Sequence, residues 1–371
     1  MTKTFIAICT LIGTVIGAGI LGIPYVIMKT GLGIGIAHLI LLAIIITITT
    51  LYLGEIALRT KANHHLTGYA GLYLGAKGKK LMFIAFAFGI YAALLAYLIG
   101  EGESLSHLFL GSAQYSLYFG IAFWAFLSIL TYFGLKALEK GESIGVILIF
   151  IMIISITVLA WNKIDVSNLT YNNFENLFLP FGVILFAYLG FSSIPEIERI
   201  LGDNKKPMKK SIITAYILCF VVYAIFAAVV LGYKGVATPQ IATLALGKPF
   251  ILLGMFTMFT SYFVLSIALV DTFRFDYKMK KIKAWLYTIS IPLILYLILE
   301  FFQIAQFTKV LGIGGVISGG LTAILILLMV KKAKKLGIEK PEYSIPYSKI
   351  LTYILIAIFV IGAVLEITSL I

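Results

Sequence analysis

The chain alternates between long apolar runs and short polar connections, and the runs are too long to be the core of a soluble domain. Eleven stand out, at about 4–28, 32–57, 79–100, 115–135, 142–162, 176–199, 209–232, 249–273, 283–302, 308–331 and 347–370. Each holds about 20 residues or more, enough for a helix to cross a hydrocarbon layer roughly 30 Å thick. None shows the alternation over about ten residues that marks a membrane β-strand. The pattern predicts an all-α integral membrane protein with eleven transmembrane helices.

Composition agrees with the pattern. Of 371 residues 61% are apolar and 12% charged, against about 25% charged in soluble domains, and the mean hydropathy is +1.05. A net charge of +13 would suit nucleic acid if it covered one surface, but the basic residues sit in the short connections. With the N-terminus inside, 24 of the 29 Lys and Arg fall on the cytoplasmic side. They are Lys3, Lys136, Lys140 and the clusters within 59–80, 199–210, 274–283 and 331–349. Only Lys29, Lys163, Lys234, Lys248 and Lys309 fall outside. This asymmetry predicts a multi-pass protein of the cytoplasmic membrane, with a cytoplasmic N-terminus and an extracytoplasmic C-terminus. It also argues against a nucleic-acid partner.

Lys3 before an apolar run has the look of a signal peptide, but the run is too long and is read as a retained first helix. Cys9 and Cys219 lie in apolar runs without metal-ligand spacing and read as small buried hydrophobes. The connections are too short for a soluble domain and imply no soluble protein partner. The weakly polar stretch 235–244 fits either a short outer cap or an ordinary connection.

Two spans are flawed as helices. The first carries Gly13-Thr14-Val15-Ile16-Gly17-Ala18-Gly19-Ile20-Leu21-Gly22-Ile23-Pro24, where Gly costs about 1 kcal/mol and Pro about 3 in a helix interior. Irregular backbone at membrane depth is tolerated only where protein buries it or where it lines a cavity. The sixth carries Gly190-Phe191-Ser192-Ser193-Ile194-Pro195. Like Gly19 to Pro24, it is Gly, four residues, then Pro. The offset of five spans gives the two segments opposite topology, the pattern of inverted five-helix repeats with paired discontinuous helices at the binding site. A Gly/Pro kink in each helix is the simpler alternative.

The stretch from Ile16 to Tyr25 resembles the first-helix signature of the amino acid/auxin permease family, within the amino acid–polyamine–organocation superfamily. The stretch from Tyr91 to Gly100 resembles the third helix of that family's aromatic and hydroxy amino acid permeases. The sixth span and Thr260-Ser261-Tyr262-Phe263 also fit, so the likeness covers nearly the whole chain. The resemblance implies the leucine-transporter fold: residues 1–165 as a first five-helix repeat, 166–335 as its inverted partner, and 336–371 as a peripheral eleventh helix. It implies a secondary active transporter of a small amino acid. Larger relatives carry an N-terminal tail; here the first helix begins at once, so tail-based regulation is not expected.

A broken helix offers partners to both ends of an amino acid. The outer half of the first span presents N–H groups and a positive dipole end, and the carboxylate is placed on the amides of Ala18, Gly19 and Ile20. The ammonium is placed on freed carbonyls of Val15 in the first span and of Phe186, Ala187 and Tyr188 in the sixth. The resemblance implies Tyr97 as a substrate-facing side chain, with Tyr188 and Phe191 shaping the pocket. Packing or interfacial anchoring is the plainer role for an aromatic residue in such a chain.

Thr257, Thr260 and Ser261 fall at i, i+3 and i+4, on one helix face. With the carbonyls of Gly13 and Ile16 they would form an oxygen cage like the family's Na⁺ site; hydroxyls bonded back to their own helix are the alternative. Some relatives place a lysine of the fifth helix there for proton coupling, and residues 142–161 hold no Lys. Sodium is therefore expected over protons as coupling ion, with no other cofactor or metal.

The remaining ionisable residues in or near the spans read as structural. His38 is read as hydrogen-bonded packing and Glu55 with Arg59 as an i,i+4 ion pair. Glu101 and Glu103 are read as solvated at the outer end of the third span, and Glu196 and Glu198 as partners of nearby Lys or Arg. A non-transporting amino acid sensor on the same fold and a multispan membrane enzyme are the rival classes. The enzyme is disfavoured by the lack of a metal cluster or nucleophile–base motif.

Overall fold

The computed structural model describes residues 2–61, 64–134 and 142–368, and the described residues are helices and turns with no strand. Ten helices are long and apolar enough to cross a membrane, or eleven with the first bent pair counted as one span. The expected Lys136 and Lys140, residue 135 of the fourth span and residues 369–370 of the last lie outside the described residues.

The first span is two helices, α1 (Lys3–Val15) and α2 (Gly19–Thr30), bent by 56° at residues 16–18. Ile16 leaves the helical region at φ −84°, ψ 77°. Pro24 lies inside α2, so the glycine segment and not the proline makes the break. Gly31 turns the chain at φ +95° into α3 (Leu32–Leu58).

The third expected span, 79–100, is far longer in the structure. Helix α4 runs from Leu66 to Leu110, interrupted only at Gly75, where φ is +75°. Leu66, Tyr69, Ala70 and Tyr73 are buried before that kink, so the stretch 66–74, outside the expected span, docks through an apolar face. Beyond residue 100, Glu101 and Ser104 are buried rather than solvated, because the end of α4 lies among its neighbours.

Helices α5 (Ser116–Phe133) and α6 (Glu142–Ala160) complete the first half. The sixth expected span is again broken: α7 (Pro180–Ala187), an irregular stretch at 188–190, a 3₁₀ turn at Phe191–Ser193, then α8 (Ile194–Leu201). Pro195 sits in the first turn of α8, where its missing N–H costs nothing. Helices α9 (Met208–Lys234), α10 (Lys248–Asp271) and α11 (Lys281–Phe301) follow.

The tenth span, expected as one helix, is α12 (Phe307–Gly314), a π-helical turn at Gly315–Gly319, and α13 (Gly320–Leu336). Five glycines between 312 and 320 allow the wider turn. Helix α14 (Lys349–Thr368) ends the described chain.

At the centre, α1 packs on α6, α8 and α9, and α2 packs on α7 and α9. Helix α4 lies against α5, α10, α11, α12 and α13. The stretch 235–244 contains 3₁₀ turns with Ile241, Ala242 and Thr243 buried, and the second turn packs on α2 and α10. Gln240 accepts hydrogen bonds from the N–H and hydroxyl of Thr308, which ties the stretch to the start of α12.

Candidate functional site

The two breaks are packed into each other, glycine against the opposite helix. A Cβ added at Gly19, the first residue of α2, would lie 2.6 Å from Ala187 Cα, the last residue of α7. A Cβ added at Gly190, between α7 and α8, would lie 2.6 Å from Val15 Cγ2, at the end of α1. Contacts under 3.0 Å leave no room for a side chain, so each break needs glycine where the other half-helix crosses it.

The crossing gathers four helix ends: the C-termini of α1 and α7, whose carbonyls are partly taken by Gly17 N–H on Val15 O and Leu189 N–H on Phe186 O, and the N-termini of α2 and α8. Tyrosines serve the carbonyl ends. The buried Tyr223 hydroxyl of α9 is 3.0 Å from Val15 O and 2.7 Å from Ala187 O. It has one proton, so it donates to one carbonyl at a time and leaves acceptor capacity at the other. Tyr216, bonded to Thr50 at 2.9 Å, reaches Tyr188 O at 3.4 Å. Neither tyrosine stands out in a chain with 21; their spacing of seven on α9 places both on one face.

On the other side of the break, the Tyr97 hydroxyl faces the backbone N–H of Ala18 and the hydroxyl of Ser261. A Cβ on Gly17 would meet Tyr97 Oη at 3.3 Å and Ser261 Oγ at 3.8 Å. The Tyr97 hydroxyl therefore lies between the break and the helix that carries the expected cation ligands.

Two adjoining cavities open at the crossing. The smaller, of about 120 Å³, is lined by Val15, Gly19, Tyr97, Phe186, Ala187 and Phe191 among others. Ser318, Gly319 and Thr322 of the π turn and α13 form a wall that sequence reasoning did not foresee. Among the described residues no charged side chain lines it. Three of the expected substrate residues do not line it: Ala18, Ile20 and Tyr188. Ala18 meets Tyr97, Ile20 is packed in the core, and the Tyr188 ring lies against Tyr216 and Tyr223.

The larger cavity, of about 500 Å³, shares Thr14, Gly17 and Tyr97 with the smaller one and runs past Ser192 to His65, Glu196, Asp271 and Phe275. All five expected cation ligands, Gly13, Ile16, Thr257, Thr260 and Ser261, line it. Thr257 donates to Gly254 O at 2.7 Å, and Thr260 lies 3.0 Å from Phe256 O and 3.1 Å from Thr257 O. Hydroxyls that donate backward keep oxygen lone pairs for a cation.

The other ionisable residues fall as follows. His38 bonds Ile34 O. Glu55, fully buried, binds Arg59 at 2.9 Å, Lys334 at 2.5 Å, the Ser344 hydroxyl and the Ile345 N–H. That clamp joins α3, α13 and the segment before α14. Glu198 pairs with Lys205 at 2.5 Å, whereas Glu196 stands at the cavity mouth. Among the described residues no His/Cys/Asp/Glu group has the arrangement of a metal site.

All-helical construction, up to eleven membrane-spanning elements and two interlocked helix breaks around a cavity define a class of membrane carrier. The chain belongs to the tryptophan/tyrosine permease family, which it matches over residues 1–366. It is 24% identical to glutamine transporter 2 of Aliivibrio fischeri over 92% of each chain. It is 27% identical to tyrosine-specific transport system 1 of Haemophilus influenzae over 59% of this chain and 56% of that one. Lysine histidine transporter-like 1 of Arabidopsis thaliana is 26% identical over 63% of this chain and 56% of its own. Family and relatives are transporters, not enzymes.

Proposed function

We propose that the protein is a secondary active transporter that carries a small neutral amino acid across the cytoplasmic membrane by alternating access. The observation that supports this most is the reciprocal packing of the two breaks, Gly19 on Ala187 and Gly190 on Val15, beside one cavity. On this reading residues 1–165 and 166–335 are inverted five-helix repeats of the leucine-transporter plan, and 336–371 is peripheral. Carriers built this way hold substrate at broken helices near the membrane midplane.

The substrate carboxylate meets the N–H of Gly19, which lines the smaller cavity, and reaches those of Ala18 and Ile20, buried in the conformation described, only as the break opens and Tyr97 releases the Ala18 amide. The ammonium takes up the carbonyl capacity that Tyr223 leaves at Val15 and Ala187. The substrate side chain fills the space between Phe186, Phe191 and Ser318, and the uncharged lining selects against ionic side chains. The cation is Na⁺, held by the carbonyls of Gly13 and Ile16 and the hydroxyls of Thr257, Thr260 and Ser261, because an all-oxygen set suits a hard cation.

On this reading the N-terminus, and the end of the larger cavity lined by His65 and Glu196, face the cytoplasm, a reading that the charge asymmetry supports. The conformation described is then inward-open. Uptake of radiolabelled amino acids into proteoliposomes tests the proposal: accumulation of a neutral amino acid, driven by an inward Na⁺ gradient, is expected. Binding without uptake would identify a sensor instead. Accumulation driven by a proton gradient and indifferent to Na⁺ would remove the cation assignment and leave amino acid transport.

A further inference from the structure

Glu101 is 1% exposed inside α4, and its Oε1 has no hydrogen-bond partner. It lies four residues beyond Tyr97 on the same helix face, about 6 Å further from the mouth of the larger cavity. Three residues further on, Ser104 is fully buried and its Oγ is also without a partner. Two adjacent buried polar groups on the face that carries a cavity residue are costly to leave unmatched.

Among the described residues none pairs with Glu101 as a counter-charge. Helix α10 runs antiparallel to α4, setting Ser261 by Tyr97 and Met258 Sδ 2.7 Å from a Cβ built on Gly100. On the elements packed against α4, the titratable groups toward this end are Tyr118 of α5, Lys248 and Tyr262 of α10, Tyr296 and Glu300 of α11, and Lys309 of α12. Glu103 and His107 lie on α4 itself. None of them forms an ion pair or hydrogen bond with Glu101 among the described residues. Tyr296 is engaged with Ser116 O and Glu300, and the Tyr262 hydroxyl is itself buried without a partner.

We propose that Glu101 is a proton-binding site whose occupancy is tied to the conformation of the carrier. An ionised carboxylate buried without a partner costs several kcal/mol, whereas its neutral acid costs far less. In the conformation described, Glu101 carries its proton, with Ser104 as the neighbouring hydroxyl. Opening of the opposite end of the bundle admits water along the α4 face beyond Tyr97, and Glu101 then exchanges that proton with bulk water. Loss of the proton favours the open-to-outside form, so the population of the form described falls as pH rises. The site is separate from the oxygen cage proposed for Na⁺. The inference rests on the alternating-access reading for its consequence, but not for the proton itself.

The test compares wild type with Glu101→Gln, and with Glu101→Met in case the amide fails to fold. Infrared difference spectra of the purified proteins without substrate read the protonation state directly. A protonated-carboxyl band at neutral pH, present in wild type, sensitive to D₂O and absent from the variant, is expected. Thermal midpoints are expected to be equal or higher in the variants, since neither removes an ion pair. In proteoliposomes, amino acid exchange by wild type should fall with alkaline pH, by up to about tenfold per pH unit for one proton, while exchange by the variant stays flat.

An ionised-carboxylate band at neutral pH, failure of both variants to fold, or the same pH profile in variant and wild type would overturn the assignment. Absence of transport in every protein, with the protonated band present, would instead count against the transporter reading and leave the proton site standing.

Discussion

Gly19 and Ala187 meet backbone to backbone: a side chain at Gly19 would enter the space of the Ala187 Cα, at 2.6 Å, and Cβ, at 2.8 Å. This contact holds the start of α2 against the end of α7, so the position of the free N–H groups depends on it. Gly19→Ala should lower stability by about 1–3 kcal/mol, as overpacking does, and uptake should fall more than abundance in the membrane. Ala187→Gly removes only the Cβ and should restore part of the loss. Thermal midpoints and uptake of the two single variants and the double variant check this.

Tyr223 should reveal whether the freed carbonyls are used. Tyr223→Phe strips the hydroxyl that serves Val15 O and Ala187 O; Val15 O keeps the Gly17 N–H at 3.0 Å, so the buried Ala187 carbonyl is the acceptor left unmatched, at a cost of about 1–3 kcal/mol. A substrate ammonium that reaches the same carbonyls offsets that cost. The variant should therefore be less stable without substrate, yet show a larger ligand-induced rise in midpoint than wild type. An unchanged ligand shift would place the ammonium elsewhere.

Tyr97 touches both halves of the proposed mechanism through Ala18 and Ser261. Tyr97→Phe should alter the apparent affinity for substrate and for Na⁺ together, each by roughly three- to tenfold, the range of one hydrogen bond. By contrast, Thr260→Ala combined with Ser261→Ala should abolish Na⁺ dependence while substrate still binds. Uptake measured over a matrix of substrate and Na⁺ concentrations separates the two results.

Glu55 is the anchor of the C-terminal end of α3, with Arg59 and Lys334 both on its Oε1. Glu55→Gln leaves those two cations without their carboxylate and should destabilise the protein by about 3–5 kcal/mol. The loss should appear in thermal unfolding without substrate, and the affinity for substrate of the protein that remains folded should not change.

Much of this was legible in the sequence, for physical reasons that particular residues show. A bilayer demands runs of about 20 apolar residues, so the spans announce themselves. Glycine and proline at 13–24 and 190–195 cannot be ordinary helix, so the breaks do too. What the glycines pack against was not legible: Gly19 and Gly190 admit the opposite half-helix. The partners of the breaks were hidden because hydroxyls that matter only after folding look like any others; Tyr216 and Tyr223 are two of 21 tyrosines. The part of α4 beyond residue 100 was misjudged because Glu101 and Glu103 read locally as a solvated helix end, and only tertiary packing buries Glu101. The glycines at 312–320 gave no sign of a π turn, since small residues also suit straight helix packing in membranes.

The central claim, that the amino acid sits where the two breaks cross, is tested most directly by protection at Ser192, an exposed residue that lines both cavities. Cys9 and Cys219 are buried and are replaced to leave one thiol, in Ser192→Cys, with Phe275→Cys at the cavity mouth as control. Maleimide labelling is followed with and without the amino acid that the protein accumulates. Labelling at position 192 should slow at least tenfold in saturating substrate, with little change at 275. Equal labelling at 192 with and without substrate, while uptake persists, would contradict the account.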